Sequence, residues 1–228
     1  VELAERLAAL DARIAEAARA VGRDPRELTR IVVTKFHPPE LITALRGLGV
    51  RDVGESRQQE LSQKRSLLPE TTDLTWHFVG QVQTKKARAV RAAADVVHSV
   101  DRHRLADALH VADPEADSPL AVFVQVNLTE DPARGGVAPE AAVELAEHIA
   151  RNCGSLSLRG VMAVAPLEEP PARAFQRLAD VSARVRAVVP AASAISAGMS
   201  GDFAEAIAAG ATHLRIGSAI TGPRPLRG

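Results

Sequence analysis

Tyrosine is absent from this chain of 228 residues, and cysteine and tryptophan occur once each, as Cys153 and Trp76. Without a phenol, no catalytic step here can use tyrosine as acid, base or nucleophile. A single cysteine excludes an intrachain disulfide and a cysteine-rich metal site, and it fits a reducing cytoplasm, the compartment expected. Neither sign of charge is in excess: Lys plus Arg number 28, as do Asp plus Glu. General binders of nucleic acid or of membrane surfaces carry a basic excess, so neither partner is expected. No apolar run is long enough to span a bilayer. The stretch from Val1 to Ile14 lacks the basic-then-apolar order of a secretion signal. The histidines His98 and His103 are not paired as metal ligands are, and no metal is expected.

What is present is alternation. Leu3, Leu7, Leu10 and Ile14 recur at helical spacing among charged residues, which predicts an amphipathic helix over about 1–20. Eight β-rich runs come after it, at 30–34, 51–54, 75–79, 95–99, 120–126, 157–163, 193–196 and 213–217. Seven helical stretches separate them, near 39–47, 56–67, 84–93, 101–111, 138–152, 171–188 and 202–209. Strand and helix in regular alternation imply parallel pairing through crossovers. Eight such strands are the count of a closed (β/α)8 barrel, a fold of roughly 250 residues. An open doubly wound sheet is the alternative, but Gly-x-Gly-x-x-Gly after the first strand is missing. The expectation is an α/β chain forming one (β/α)8 TIM barrel domain over 1–228, monomeric, with the extra N-terminal helix and an irregular tail over about 222–228.

Lys35 is the residue whose position asks for a reason. It ends the run Ile31-Val32-Val33-Thr34, just before His37-Pro38-Pro39. An ammonium loses hydration in an apolar strand, so either it snorkels into solvent or it points into a site at the strand's end. In barrels, catalytic groups gather at the carboxyl ends of the strands, and phosphate binds after the last two. Both places carry fitting loops. Ser196-Ala197-Gly198-Met199-Ser200-Gly201-Asp202 leads into a helix, with Ser200 and Asp202 also ordinary N-caps, and Gly217-Ser218-Ala219 comes after the eighth strand. In His213-Leu214-Arg215-Ile216, alternation turns Arg215 toward the interior, where it needs a carboxylate or a ligand. Barrel closure seats the eighth strand beside the first. An amine, a guanidinium and a phosphate cradle round one mouth suit pyridoxal 5′-phosphate: its aldehyde toward Lys35, its phosphate on the loops, where Met199 offers an amide, and its ring nitrogen toward Arg215.

Five motifs then carry a resemblance: Val-Val-Thr-Lys35, Trp76-His77-Phe78-Val79-Gly80, Arg159-Gly160-Val161-Met162-Ala163, Ser196-Ala-Gly-Met-Ser200-Gly-Asp202 and Arg215-Ile-Gly-Ser-Ala-Ile-Thr-Gly222. In this order, over nearly the whole chain, they resemble the YggS/PROSC family of pyridoxal phosphate homeostasis proteins, single-domain relatives of the alanine racemase barrel. The resemblance implies that Lys35 binds the cofactor covalently, that Ser200, Gly217 and Ser218 hold its phosphate, and that Arg215 meets the pyridine nitrogen. The chain departs from the family pattern at Ser56 and Lys85, each where asparagine is usual, and at Arg134, where lysine is usual.

The function expected is a carrier in vitamin B6 homeostasis that holds pyridoxal phosphate as a reversible Schiff base without turnover, with cofactor-requiring apo-enzymes as partners. An arginine beside the ring nitrogen opposes its protonation and weakens the electron sink. The alternative is a single-domain amino-acid racemase. Lacking a tyrosine and a second domain, it would act through Lys35 alone or with His77, which alternation turns inward between Trp76 and Phe78; the other reading of His77 is a packed, hydrogen-bonded core residue. A third reading is a Schiff-base aldolase without cofactor. Lys85, Lys86, Arg88 and Arg91 read as a solvated basic helix face.

Overall fold

β-branched and aromatic runs form the strands of this protein because each is short, apolar and bounded by turns or helix caps. The computed structural model describes residues 2–223; Val1 and the end of the expected tail, 224–228, lie outside the described residues. Strands β1 (Thr29–Val33), β2 (Asp52–Glu55), β3 (Thr75–Phe78), β4 (Val96–Val100), β5 (Leu120–Gln125), β6 (Leu156–Met162), β7 (Ala194–Ser196) and β8 (His213–Ile216) close into a barrel in sequence order. All neighbouring pairs are parallel, and β8 returns to β1 with Ile31 opposite Arg215 and Val32 opposite Ile216. The (β/α)8 barrel expected from the alternation is the fold observed.

The helices are α1 (Leu3–Ala20), α2 (Pro39–Gly47), α3 (Gln58–Leu67), α4 (Ala87–Ala93), α5 (His103–Val111), α6 (Ala142–Asn152), α7 (Pro171–Val188), α8 (Phe203–Ala208) and α9 (Ser218–Thr221). Residues 84–86, expected as the start of the fourth helix, form a separate 3-10 turn. Helix α1 precedes the first strand and buries Leu7, Leu10, Ile14 and Ala18. Its Arg6 donates to the Ile220 carbonyl at 2.7 Å, tying it to the chain end that shuts the barrel. None of the helices among the described residues is long and apolar enough to cross a membrane.

Alternation divides each strand between two environments. Val32, Val53, Trp76, Phe78, Val97, Val122, Val124, Val161, Leu214 and Ile216 face outward into one continuous apolar shell under the helices. The inward positions are more polar: His77, His98, Ser196 and Arg215 are all buried there, alongside Ile31, Phe123 and Met162. Arg91 is a correction to the solvated basic face. It is buried and donates to the carbonyls of Leu109 at 3.1 Å and Ser155 at 3.2 Å, joining α4 to the ends of α5 and the turn before β6. Two other members, Lys85 and Arg88, are exposed.

Candidate functional site

The carboxyl end of the barrel opens into a cavity of about 430 Å³ lined by Lys35, His37, Ser56, Val79, Val164, Met199, Ser200, Arg215, Gly217 and Ser218, among others. Six residues singled out from the sequence, Lys35, Met199, Ser200, Arg215, Gly217 and Ser218, thus meet at one mouth. That volume falls in the range of small-molecule sites, about 300–1,000 Å³.

Lys35 leaves β1 on a tight turn rather than by snorkelling along the strand. Phe36 is at φ 68°, the one non-glycine residue with positive φ among those described. A bulky side chain adopts that conformation only when its surroundings compel it. The Glu60 carboxylate does so by accepting the Phe36 amide at 2.6 Å, while the Arg57 guanidinium lies 4.6 Å from the Phe36 ring centre. Glu60 is itself held by Lys64 at 2.9 Å, and Lys64 also donates to Glu55 at 2.7 Å and to the Thr34 carbonyl at 2.9 Å. Thr34 completes the set by donating to Glu55 at 2.6 Å. A buried ionic network therefore fixes both residues that flank Lys35. Burial raises the Glu55 pKa, with Lys64 and Thr34 opposing. The Lys35 amine makes no hydrogen bond or ion pair to a described residue; its Nζ lies 6.0 Å from the centre of the Phe36 ring.

The cradle is built by two short connections. Gly198, at φ 94°, brings the chain back toward β8, where its carbonyl accepts the Arg215 amide at 2.9 Å. Asp202 does not cap α8 with its side chain, as an N-cap aspartate would; its Oδ1 takes the Met199 amide at 2.6 Å. The Met199 amide expected to face the ligand is therefore occupied, and Met199 lines the cavity with a partly exposed side chain. Helices α8 and α9 have only six and four residues, so the dipole contribution expected at this end is small. What remains is local: the hydroxyls of Ser200 and of Ser218, the latter at the start of α9, where the Ile220 and Thr221 amides are already bonded to the Gly217 carbonyl.

Arg215 is 5% exposed and forms no salt bridge among the described residues. Its guanidinium donates to Ser196 Oγ at 2.7 Å and to the Ala163 carbonyl at 2.9 Å, and burial pulls its pKa down to about 10. The salt bridge that would make it purely structural is absent among the described residues.

The family model for the alanine racemase N-terminal domain matches residues 6–225. The chain belongs to that family. Two relatives place it further: the pyridoxal phosphate homeostasis protein of Mycobacterium tuberculosis is 39% identical over 244 residues, spanning 99% of this chain and 94% of its own. That of Escherichia coli K12 is 36% identical over 228 residues, spanning 98% and 97%. PipY of Synechococcus elongatus, solved without PLP, superposes with a TM-score of 0.86 at 31% identity over 97% of this chain and all of its own; the form solved with PLP bound gives 0.83. Alanine racemase of Corynebacterium glutamicum shares the fold alone, with a TM-score of 0.69 at 15% identity over 97% of this chain and 62% of its own. The motif resemblance to the pyridoxal phosphate homeostasis proteins is thus upheld at the level of family.

Sequence reasoning missed two parts of this alanine racemase-type barrel. One is the Glu55–Lys64–Glu60 network, although Lys64 falls three residues after Leu61, on the face of α3 that α3 buries. The other is the interior histidine cluster. His98 is the middle residue of β4, fully buried and stacked on Phe123 with ring centres 4.6 Å apart. His213 lies edge-on to Phe123 at 5.2 Å. Burial lowers the His213 pKa from 6.5 to about 4, with His77, Arg159 and Arg215 acting in the same direction and Asp52 against it. His98 is lowered as well, by burial and then His77. Unfolding frees these rings to take up protons, so their contribution is complete above pH 6.5 and is lost as pH falls toward 4. His213 alone should cost about 2 kcal/mol between pH 7.5 and pH 5. Urea denaturation at the two pH values checks this, and His213→Gln should flatten the difference.

Proposed function

We propose that this chain binds pyridoxal 5′-phosphate in the Lys35 cavity, holding it as a reversible Schiff base and giving it up without turnover. The observation that carries the reading is the meeting of an amine, a buried guanidinium and two hydroxyl-bearing loops round one cavity. The donor set fits the group. Lys35 Nζ is a primary amine without a hydrogen-bond or ion-pair partner among the described residues, Ser200 and Ser218 offer hydroxyls, and Arg215 offers a cation to an uncharged ring nitrogen. The names of the relatives and the PLP-bound PipY structure support it.

When bound, the cofactor supplies an aldehyde for covalent capture and an electron-withdrawing ring. The residues of this chain restrict the reactions open to it. The cation of Arg215 opposes protonation of a ring nitrogen beside it, which weakens the ring as an electron sink. His77, the second base that racemisation would recruit, is not in the cavity lining. It is 2% exposed and occupied by His98 and Asp52 at 2.9 Å each. On this reading the protein is a monomeric carrier, and its partners are the cofactor and the apo-enzymes that receive it.

Borohydride reduction of the protein incubated with pyridoxal phosphate should leave one pyridoxyl adduct, mapped to Lys35 by peptide mass, and Lys35→Ala should carry none. No adduct, or an adduct on another lysine, would end the reading. Deuterium entering the α-carbon of an added amino acid, in the wild type and not in Lys35→Ala, would replace the carrier with the racemase.

A further inference from the structure

The interiors of (β/α)8 barrels are ordinarily filled by branched apolar side chains in layers. This one carries an unbroken file of polar groups from its closed end to the cavity. Asp52 Oδ1 meets His77 Nε2 at 2.9 Å, His77 Nδ1 meets His98 Nε2 at 2.9 Å, His98 Nδ1 meets Ser196 Oγ at 2.8 Å, and Ser196 Oγ meets the Arg215 guanidinium at 2.7 Å. The residues come from β2, β3, β4, β7 and β8, so no segment of sequence contains the file. Asp52 lies at the amino end of the barrel, in a surface depression it shares with Asp11, Arg30 and Arg51.

The two ends determine the direction of every bond between them. A guanidinium only donates and a carboxylate only accepts. With neutral rings, Asp52 must receive the Nε2 proton of His77. His77 Nδ1 is then a lone pair and must receive the Nε2 proton of His98. His98 Nδ1 in turn receives the Ser196 hydroxyl proton, which leaves a Ser196 lone pair for Arg215. The opposite tautomer of either ring sets a lone pair against a lone pair or against the carboxylate. Phe123, stacked on His98 with planes 10° apart, holds that ring in the plane the file needs. Aligned bonds of this kind polarise one another. They also give Arg215, which has no carboxylate partner among the described residues, a negative terminus across the barrel.

We propose that Asp52, His77, His98 and Ser196 form a positioning column for Arg215, with both imidazole protons on Nε2 and all hydrogen bonds directed from the cavity toward Asp52. The column orients the guanidinium that faces the ligand; none of its four members lines the cavity. Its effect on the cofactor rests on the function proposed above, whereas its tautomers do not.

The test has two arms on the full chain. Long-range ¹H–¹⁵N spectra of histidine-labelled apo-protein at neutral pH, assigned with His77→Gln and His98→Gln, should show both rings as Nε2–H tautomers. A Nδ1–H tautomer or an imidazolium at either position overturns the proposal. In the second arm, Asp52→Asn should weaken pyridoxal phosphate binding about three- to tenfold, the worth of one hydrogen bond, and alter the pH dependence of the bound cofactor's absorbance, with Asp52→Glu restoring both. A folded Asp52→Asn protein with wild-type affinity and spectrum also overturns it. A wild-type protein that takes up no pyridoxal phosphate would refute the proposed function while the tautomer result still decides the column.

Discussion

Replacing Lys64 by methionine should destabilise the protein by about 3–5 kcal/mol, the usual consequence of removing one partner from a buried ionic set. Lys64 is 3% exposed and its ammonium is shared by Glu55, Glu60 and the Thr34 carbonyl. Without it, Glu55, which is fully buried, faces Glu60 with only the Thr34 hydroxyl in support, and one of its oxygens, Oε2, already lacks a partner among the described residues. The pH dependence distinguishes lost charge from lost packing. Burial raises the Glu55 pKa even with Lys64 present, and the variant should raise it further. A group whose folded pKa is raised favours the folded state at low pH and loses that contribution as pH rises through the folded value. The deficit of Lys64→Met relative to wild type should therefore be larger at pH 8 than at pH 5 in guanidinium denaturation. Adding Glu55→Gln should recover part of it. A deficit equal at both pH values would mean that packing, not charge, was removed. The same variant tests the site, because Glu60 would no longer be held against the Phe36 amide that sets the Lys35 turn. Borohydride-fixed cofactor should form more slowly at Lys35 in the folded fraction.

Gly198→Ala should cost roughly 2–4 kcal/mol, combining backbone strain with overpacking. The residue has φ 94°, and a Cβ there would lie 2.7 Å from Ala206 Cβ, 3.1 Å from Phe203 Cα and 3.2 Å from Leu214 Cδ2. Two of these contacts belong to α8 and the third to β8, so relief requires the loop to move away from both. That movement would pull the Gly198 carbonyl from the Arg215 amide and shift Ser200 from the cavity. Pyridoxal phosphate affinity should fall at least about tenfold, as one lost charge-assisted bond would cause. Gly201→Ala is the control. Its φ is not positive and nothing lies within 4 Å of the added carbon, so stability should stay within about 0.5 kcal/mol, as for an ordinary surface change. Equal losses in the two variants would show that the loop's chemistry, not the close approach at Gly198, is what matters.

Much of this protein was legible in its sequence because the signals are local and periodic. Eight apolar runs alternating with amphipathic stretches specify crossovers, and that count favours closure, which seats the eighth strand beside the first and brings Lys35 and Arg215 to one cavity. Alternation likewise placed His77 inward between Trp76 and Phe78, both buried on the outer side. Lys35, Ser200, Arg215, Gly217 and Ser218 were readable as one cluster for the same reason: each sits at, or just beyond, the carboxyl end of a strand. Tertiary structure decided what depends on partners from other strands. Asp202 looks like a helix cap in sequence, yet its carboxylate takes the Met199 amide because the loop before α8 turns tightly enough to bring them together. Arg91 resembles its solvated neighbours until α4 settles against α5 and buries it over two carbonyls. Lys64 and Glu55 have the composition of surface residues, and only the packing of α3 over β2 makes them a buried pair that shapes the lysine's turn. The histidine column is the furthest case. Its four residues and Arg215 come from five strands, and its direction is set by a carboxylate and a guanidinium at its two ends. Periodicity reports which face a side chain takes, but a hydrogen bond across a barrel depends on stagger and register, which exist only once the sheet has closed.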